Sequence, residues 1–292
     1  MKITYIGTAA SEGLPALFCQ CPICESARKN GGKEIRGRAA ICVNETLLID
    51  FPPDIYYGAM RAGVNLSRIL DIVGTHAHGD HFAPTELSCR VQPVYCKRIE
   101  DDKLHFYGNM LHGTRLNGLL PGAAEGHGEN GGLCFDYAES FRPIETASGI
   151  TVTPLPADHD QNQECRMMLL EEKSTGKTFL YAHDTGVFPE ETMEFLRGKR
   201  CDLISLDCTN VMLGEDEDRN HMGIRTNVTM KNRLIANGTA DENTRWICHH
   251  FSHNGFITGE LPGGRVYLQE EFEAIAAGYG FTMSYDGMKV EI

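Results

Sequence analysis

The segment Thr75-His76-Ala77-His78-Gly79-Asp80-His81 places three histidines and one aspartate within six residues. Imidazole nitrogens and carboxylate oxygens are the donors that divalent transition metals accept, and a tight loop offers all four from one base. Packing gives no reason for four ligand-type side chains at H-x-H-x-D-H spacing, whereas a metal loop does. A second cluster, Cys19-Gln20-Cys21-Pro22-Ile23-Cys24, puts three thiols within six residues. This C-x-C-x-x-C spacing points to zinc, but a closed tetrahedral site needs a fourth protein ligand, and no further cysteine follows nearby.

Both clusters need a frame. The histidine loop follows the apolar run Ile69-Leu70-Asp71-Ile72-Val73, which reads as a strand entering a tight turn. Short β-branched runs bounded by Gly, Asn, Asp or Pro predict strands at 2–6, 39–43, 46–50, 69–74, 91–95, 151–155, 166–171, 178–182, 203–207, 245–249, 281–285 and 289–292. Helical patterns lie at 22–30, 55–62, 84–90, 189–196, 227–237 and 268–277. Strands and helices mixed without strict alternation predict an α/β (α+β) fold of two stacked sheets with helices outside. The stretch 108–132 is glycine-rich and weakly periodic, and reads as a surface excursion. No linker divides the chain, so the 292 residues are expected to form one domain.

Composition narrows the classes. Hydrophobic residues at 41% and charged residues at 23% describe an ordinary globular chain. There is no apolar run long enough to span a membrane, and Met1 to Gly7 reads as a first strand rather than a secretory signal, so a cytoplasmic location is expected. A net charge of −13 without a basic stripe argues against a protein that wraps nucleic acid. The eight cysteines outside the cluster are scattered among apolar residues and read as reduced, buried thiols.

The histidine loop resembles the signature of the metallo-β-lactamase fold superfamily. That resemblance implies a four-layer αβ/βα sandwich with a dinuclear metal site at the sheet edges. Its later ligand slots match this chain in order: His159 after the strand at 151–155, Asp184 as the carboxylate shared by both metals, and Asp50 supporting the histidine loop. One metal would then take His76, His78, His159 and Asp184. The other would take Asp80, His81, Asp184 and a late histidine from Cys248-His249-His250-Phe251-Ser252-His253. His250 fills that slot by the resemblance, and alternation along a strand turns His249 the opposite way.

Three further stretches are similar to the PhnP-like branch, the phosphoribosyl cyclic phosphodiesterases. They are Gly7 to Pro15 with the cysteines that follow, Asn220-His221-Met222-Gly223-Ile224, and Tyr285 to Val290. In that branch the slot of His253 completes a structural zinc site, so Cys19, Cys21, Cys24 and His253 are implied as a clamp joining the two ends of the chain. The branch also places a histidine against the substrate phosphate, here His221.

The implied activity is metal-dependent hydrolysis of a small phosphodiester by hydroxide held between two divalent cations, zinc or manganese, beside one structural zinc. Asp80 and His221 are the candidates for orienting water and moving protons. The expected partner is a small-molecule phosphodiester, with no nucleic acid or membrane, and a homodimer is admitted. Rival readings are a thioesterase, lactamase or nuclease on the same fold, or a non-hydrolytic accessory protein of pyrroloquinoline quinone biosynthesis. The intact histidine set favours an enzyme.

Overall fold

Successive side chains of a strand point to opposite faces, and this alternation sorts the apolar residues into three cores. A computed structural model of the protein describes residues 1–92, 94–97, 103–121 and 132–292. In chain order the elements begin with β1 (Lys2–Gly7), α1 (Pro22–Asn30), β2 (Ala40–Val43), β3 (Leu47–Ile49), α2 (Ile55–Ala62) and β4 (Asp71–Val73). There follow α3 (Pro84–Val91), β5 (Leu104–Gly108), α4 (Met110–Leu119), β6 (Leu133–Tyr137), β7 (Ile144–Glu145), β8 (Ile150–Pro156), β9 (Arg166–Glu172) and β10 (Lys177–Ala182). The last third holds α5 (Glu190–Leu196), β11 (Leu203–Asp207), α6 (Ile224–Ala236), β12 (Arg245–His249), β13 (Ile257–Thr258), β14 (Arg265–Val266), α7 (Gln269–Gly278), β15 (Thr282–Met283) and β16 (Lys289–Glu291).

Two seven-stranded sheets carry the fold, in the orders β16-β1-β2-β3-β4-β5-β6 and β15-β12-β11-β10-β9-β8-β7. Ile3, Tyr5, Ile41, Val43 and Ile49 of the first meet Val152, Met168, Leu170, Phe179 and Leu203 of the second in the inner core. Their strand neighbours face outward. Cys42, Leu48 and Ile72 pack with Ile55, Leu87 and Leu116 from α2, α3 and α4. Leu169, Leu180, Ile204 and Leu206 pack with Ile23, Leu196, Leu234 and Phe272 from α1, α5, α6 and α7. The result is the expected four-layer sandwich. Each buried aliphatic side chain contributes about 1.5–3 kcal/mol, and a one-residue slip would turn a strand's whole set the wrong way, so register is strongly fixed.

This topology brings the chemistry to one edge. Strands β3 and β4 run parallel, as do β10, β11 and β12, while β8 pairs antiparallel with β9 and β9 with β10. The carboxyl ends of β8, β10, β11 and β12 therefore open on the same side, where loops carry Asp158–His159, His183–Asp184, Asp207 and His250.

Two expectations are corrected. The strand predicted at 91–95 is not formed: α3 continues through Val91, and Val94 and Tyr95 are exposed. Much of the excursion predicted at 108–132 is regular, because β4 continues into the parallel pair β5 and β6, with α4 between them. Helix α4 starts on a capping box in which Asn109 Oδ1 accepts from His112 N (3.1 Å) and Asn109 N donates to His112 Nδ1 (3.1 Å). Histidine stands where Glu or Gln usually closes that motif, which hid the start. Residues 122–131 of that stretch lie outside the described residues. No described helix is long and apolar enough to cross a membrane.

Candidate metal centre

Asp50, at the end of β3, anchors the histidine loop. Its Oδ1 accepts from Thr75 N (2.8 Å) and its Oδ2 from His81 Nδ1 (2.9 Å) and His183 Nε2 (3.2 Å). Burial alone would raise this carboxyl, but His81 and His183 outweigh it and hold it well below the usual range. Asp50, Asp184 and His250 all adopt left-handed backbone, with φ of 66°, 50° and 64°. Such conformations cost roughly 1 kcal/mol or more apiece in non-glycine residues and are held here by the surrounding contacts.

In each of the candidate ligands His76, His78, His81, His159 and His250, one ring nitrogen is occupied and the other is turned inward. Thr75 Oγ1 donates to Asp50 and so accepts from His76 Nδ1 (3.1 Å), leaving His76 Nε2 as a lone pair. His78 Nε2 donates to Asp160 Oδ2 (3.1 Å), freeing Nδ1, and His159 Nδ1 donates to the Asn220 carbonyl (3.3 Å), freeing Nε2. The three free nitrogens converge: His78 Nδ1 lies 2.8 Å from His76 Nε2 and 3.3 Å from His159 Nε2. Three ring nitrogens whose lone pairs are turned on one another repel unless a cation sits among them. His76, His78 and His159 thus fit a metal, with outer partners that fix each tautomer.

The second group meets at Asp184, after β10. Its Oδ2 lies 2.7 Å from His81 Nε2 and 3.3 Å from His250 Nε2, while Asp80 Oδ2 is 3.0 Å from His81 Nε2. Thr209 Oγ1 donates to Asp207 and lies 2.8 Å from His250 Nδ1, so His250 also turns its lone pair inward. His81 Nε2, His250 Nε2 and Asp184 Oδ2 are buried without an aligned hydrogen bond among the described residues, close as the first and last of them are. Orphaned polar atoms are costly unless a ligand satisfies them. In the protein alone, Asp184, Asp80 and Asp50 raise His81 well above its ordinary range against the effect of burial. A cation would replace that proton. Asp184 also faces the first group, 4.0 Å from His76 Nε2 and 3.9 Å from His159 Nε2, so it stands where a shared ligand would.

Asp207, at the end of β11, was read from the sequence only as a strand end. It accepts from Asp184 N (2.9 Å), Thr209 N (3.0 Å) and Met222 N (2.9 Å), and lies 3.3 Å from His221 Nδ1. It therefore braces the Asp184 turn, His250 through Thr209, and His221. The available signal was a third apolar strand ending in an acid, one strand after Asp184. His221 is pushed up to about 9: burial opposes its charge, but Asp207 and then Asp184 override it. Gly186 lets this loop close in, since a Cβ there would meet Asp218 O at 2.4 Å. His249 turns away as alternation required, and its Nε2 meets Tyr181 OH at 2.9 Å inside the sandwich.

These side chains line a cleft of about 310 Å³ whose walls include His78, Asp80, His159, Asp184, His221 and His250. Beyond it, the ligand atoms of Cys19, Cys21, Cys24 and His253 all lie within 4.8 Å of one another. His253 Nδ1 is 3.6 Å from Cys19 Sγ and 3.3 Å from Cys21 Sγ. Pro22 starts α1 between these thiols, turning Cys21 and Cys24 to one side. Four such donors fit a closed tetrahedral zinc.

Residues 45–240 match the family model described as a β-lactamase superfamily domain. No curated protein matches the chain by sequence. Among solved structures, a diphosphatase from the PhnP family is 21% identical with a TM-score of 0.72, over 100% of this chain and 97% of its own. Zinc-bound PqqB from Methylobacterium extorquens is 16% identical with a TM-score of 0.70, over 100% of both chains. The short form of human tRNase Z is 17% identical with a TM-score of 0.61, over 100% of this chain and 99% of its own. At these identities the likeness is one of fold.

Proposed function

We propose that this chain, which belongs to the β-lactamase superfamily domain family and has the metallo-β-lactamase fold, is a metal-dependent hydrolase of a small phosphodiester, with ribose cyclic phosphates as the leading candidates. The observation that carries this reading is the junction at Asp184: two sets of inward-facing donors share one carboxylate, with His221 beside it at 3.5 Å. His76, His78 and His159 would hold one divalent cation and Asp80, His81 and His250 the other, with Asp184 common to both. Bound there, two cations supply a water acidified towards neutrality and positive charge for the non-bridging phosphate oxygens.

The protein's own groups do the rest. Asp80, whose Oδ2 lies 3.0 Å from His81 Nε2 on the cleft wall, offers a carboxylate acceptor that can orient the attacking water. In the protein alone burial opposes a charge on His221 while Asp207 favours it, and the ring lies beside Asp184, where it is placed to give a proton to the leaving oxygen as the P–O bond breaks and the water oxygen adds to phosphorus. Asp207 accepts from backbone on either side and so fixes the distance between that acid and Asp184.

A phosphorus substrate is also in keeping with the PhnP-family diphosphatase of the same fold. A tRNA nuclease is disfavoured by the net charge of −13 and by the absence of Lys or Arg from the cleft wall among the described residues. The test is metal analysis alongside a panel of cyclic ribose phosphates, linear diesters, β-lactams and thioesters. Two catalytic cations plus one zinc, with turnover confined to phosphodiesters, is the expected result, and turnover of thioesters alone would overturn it.

A further inference from the structure

The cleft wall facing the candidate metal ligands is made by Ser11, Glu12, Ser252 and Asn254. The turn carrying Glu12 is held in place: Gly13 N donates to Ala10 O (3.0 Å), and Ala10 N donates to Phe251 O (3.0 Å), which docks the loop beside His250. The carboxylate is oriented from both sides. Ser252 Oγ donates to Oε1, Ser11 Oγ donates to Oε2 (3.3 Å), and His253 Nε2 lies 3.8 Å from Oε1. About a quarter of the Glu12 side chain (26%) remains exposed, towards the cleft. Arg38 bonds the backbone of this turn, its guanidinium committed to Ser11 O (2.8 Å) and Asp54 Oδ1 (2.8 Å). Hydroxyls, an amide and one carboxylate therefore line the wall that would meet any part of a substrate extending away from bound cations.

From this we infer that Glu12 is a specificity-determining residue that selects a phosphodiester whose organic part is a neutral polyol and rejects one carrying a second anionic group. The inference rests on the phosphodiester reading above and sharpens it to an unphosphorylated sugar cyclic phosphate. A carboxylate accepts hydrogen bonds from sugar hydroxyls, and a like charge brought into a confined cleft is strongly disfavoured. No Lys or Arg among the described lining residues offers a second phosphate compensation on the Glu12 side of the cleft.

The test uses one matched pair, ribose 1,2-cyclic phosphate with and without a 5-phosphate, on the metal-loaded full chain. Wild type is expected to favour the unphosphorylated substrate by tenfold or more in kcat/KM, about the discrimination one like-charge contact in a partly buried site can give. In Glu12→Gln, which keeps the shape and can still bond Ser252, that ratio should fall to within about twofold of one, with kcat/KM for the phosphorylated substrate rising in absolute terms. A merely damaged loop would lower both values, and unchanged metal content in the variant separates the two cases. Preference for the phosphorylated substrate in wild type, or an unchanged ratio in Glu12→Gln, overturns the assignment of Glu12 alone. No turnover of either cyclic phosphate while linear diesters are hydrolysed overturns this inference and leaves the phosphodiester reading standing, whereas no turnover of any phosphodiester removes both.

Discussion

Cys21 Sγ and His253 Nδ1 lie 3.3 Å apart although 232 positions separate them in the chain. The contact joins the first long loop to the segment that follows β12, three residues after His250. Structural zinc contributes directly to folding free energy. His253→Ala should therefore release one zinc per chain and lower Tm by on the order of 10 °C, while two further metals are still bound. Zinc counted by mass spectrometry and Tm by calorimetry check this, and an unchanged metal count would remove the clamp.

Asp184 is the residue that faces both donor groups. Asp184→Ala removes the carboxylate that faces both His81 Nε2 and His250 Nε2, and with it the charge that would offset repulsion between two bound cations. Turnover of bis-p-nitrophenyl phosphate should drop by roughly a thousandfold or more, with loss of at least one metal. Wild-type turnover in this variant would refute the shared-ligand role.

His221 separates acid catalysis from ligation. Its Nδ1 is engaged by Asp207 at 3.3 Å and Asp184 at 3.5 Å. His221→Ala should keep the full metal complement and lose roughly 10²–10⁴ in kcat, the usual worth of a positioned proton donor. Loss of a metal together with rate would instead make His221 a ligand.

Much of this site was legible because its donors stand at strand ends, where alternation and turn residues give position away. The H-x-H-x-D-H loop, His159, Asp184 and His250 are all brought together at one sheet edge. Asp207 was not legible, since an acid closing a strand is usually a turn residue, and only the hydrogen bonds to Asp184 N and Met222 N reveal its work. The same holds for Thr75 and Thr209, whose hydroxyls set tautomers through tertiary contacts. Helix α4 escaped because two of its ten residues are glycine and its start is closed by histidine. The missed β5 alternates buried Leu104, Phe106 and Gly108 with half-buried His105 and Tyr107, a pattern diluted by the polar and aromatic partners.

Asp286 gives a stability test away from the metals. It is buried beside Arg36, accepts from Thr8 Oγ1 (2.7 Å) and Gly37 N (2.7 Å), and ties the chain's last segment to its first. Burial raises its carboxyl to about 6, against the opposing pull of those donors and of Arg36. The folded state therefore holds a proton between about pH 4 and 6 that the unfolded state gives up, so this residue's contribution to stability is greatest near pH 4 and is lost as pH rises through 6. A shift of this size corresponds to about 2–3 kcal/mol. Asp286→Asn cannot titrate, so the stability difference between wild type and variant should move by that order, in favour of the variant, from pH 4.5 to pH 7.5. Urea denaturation at the two pH values measures it, and a difference that stays flat would mean that Asp286 is ionised in the folded protein throughout the range.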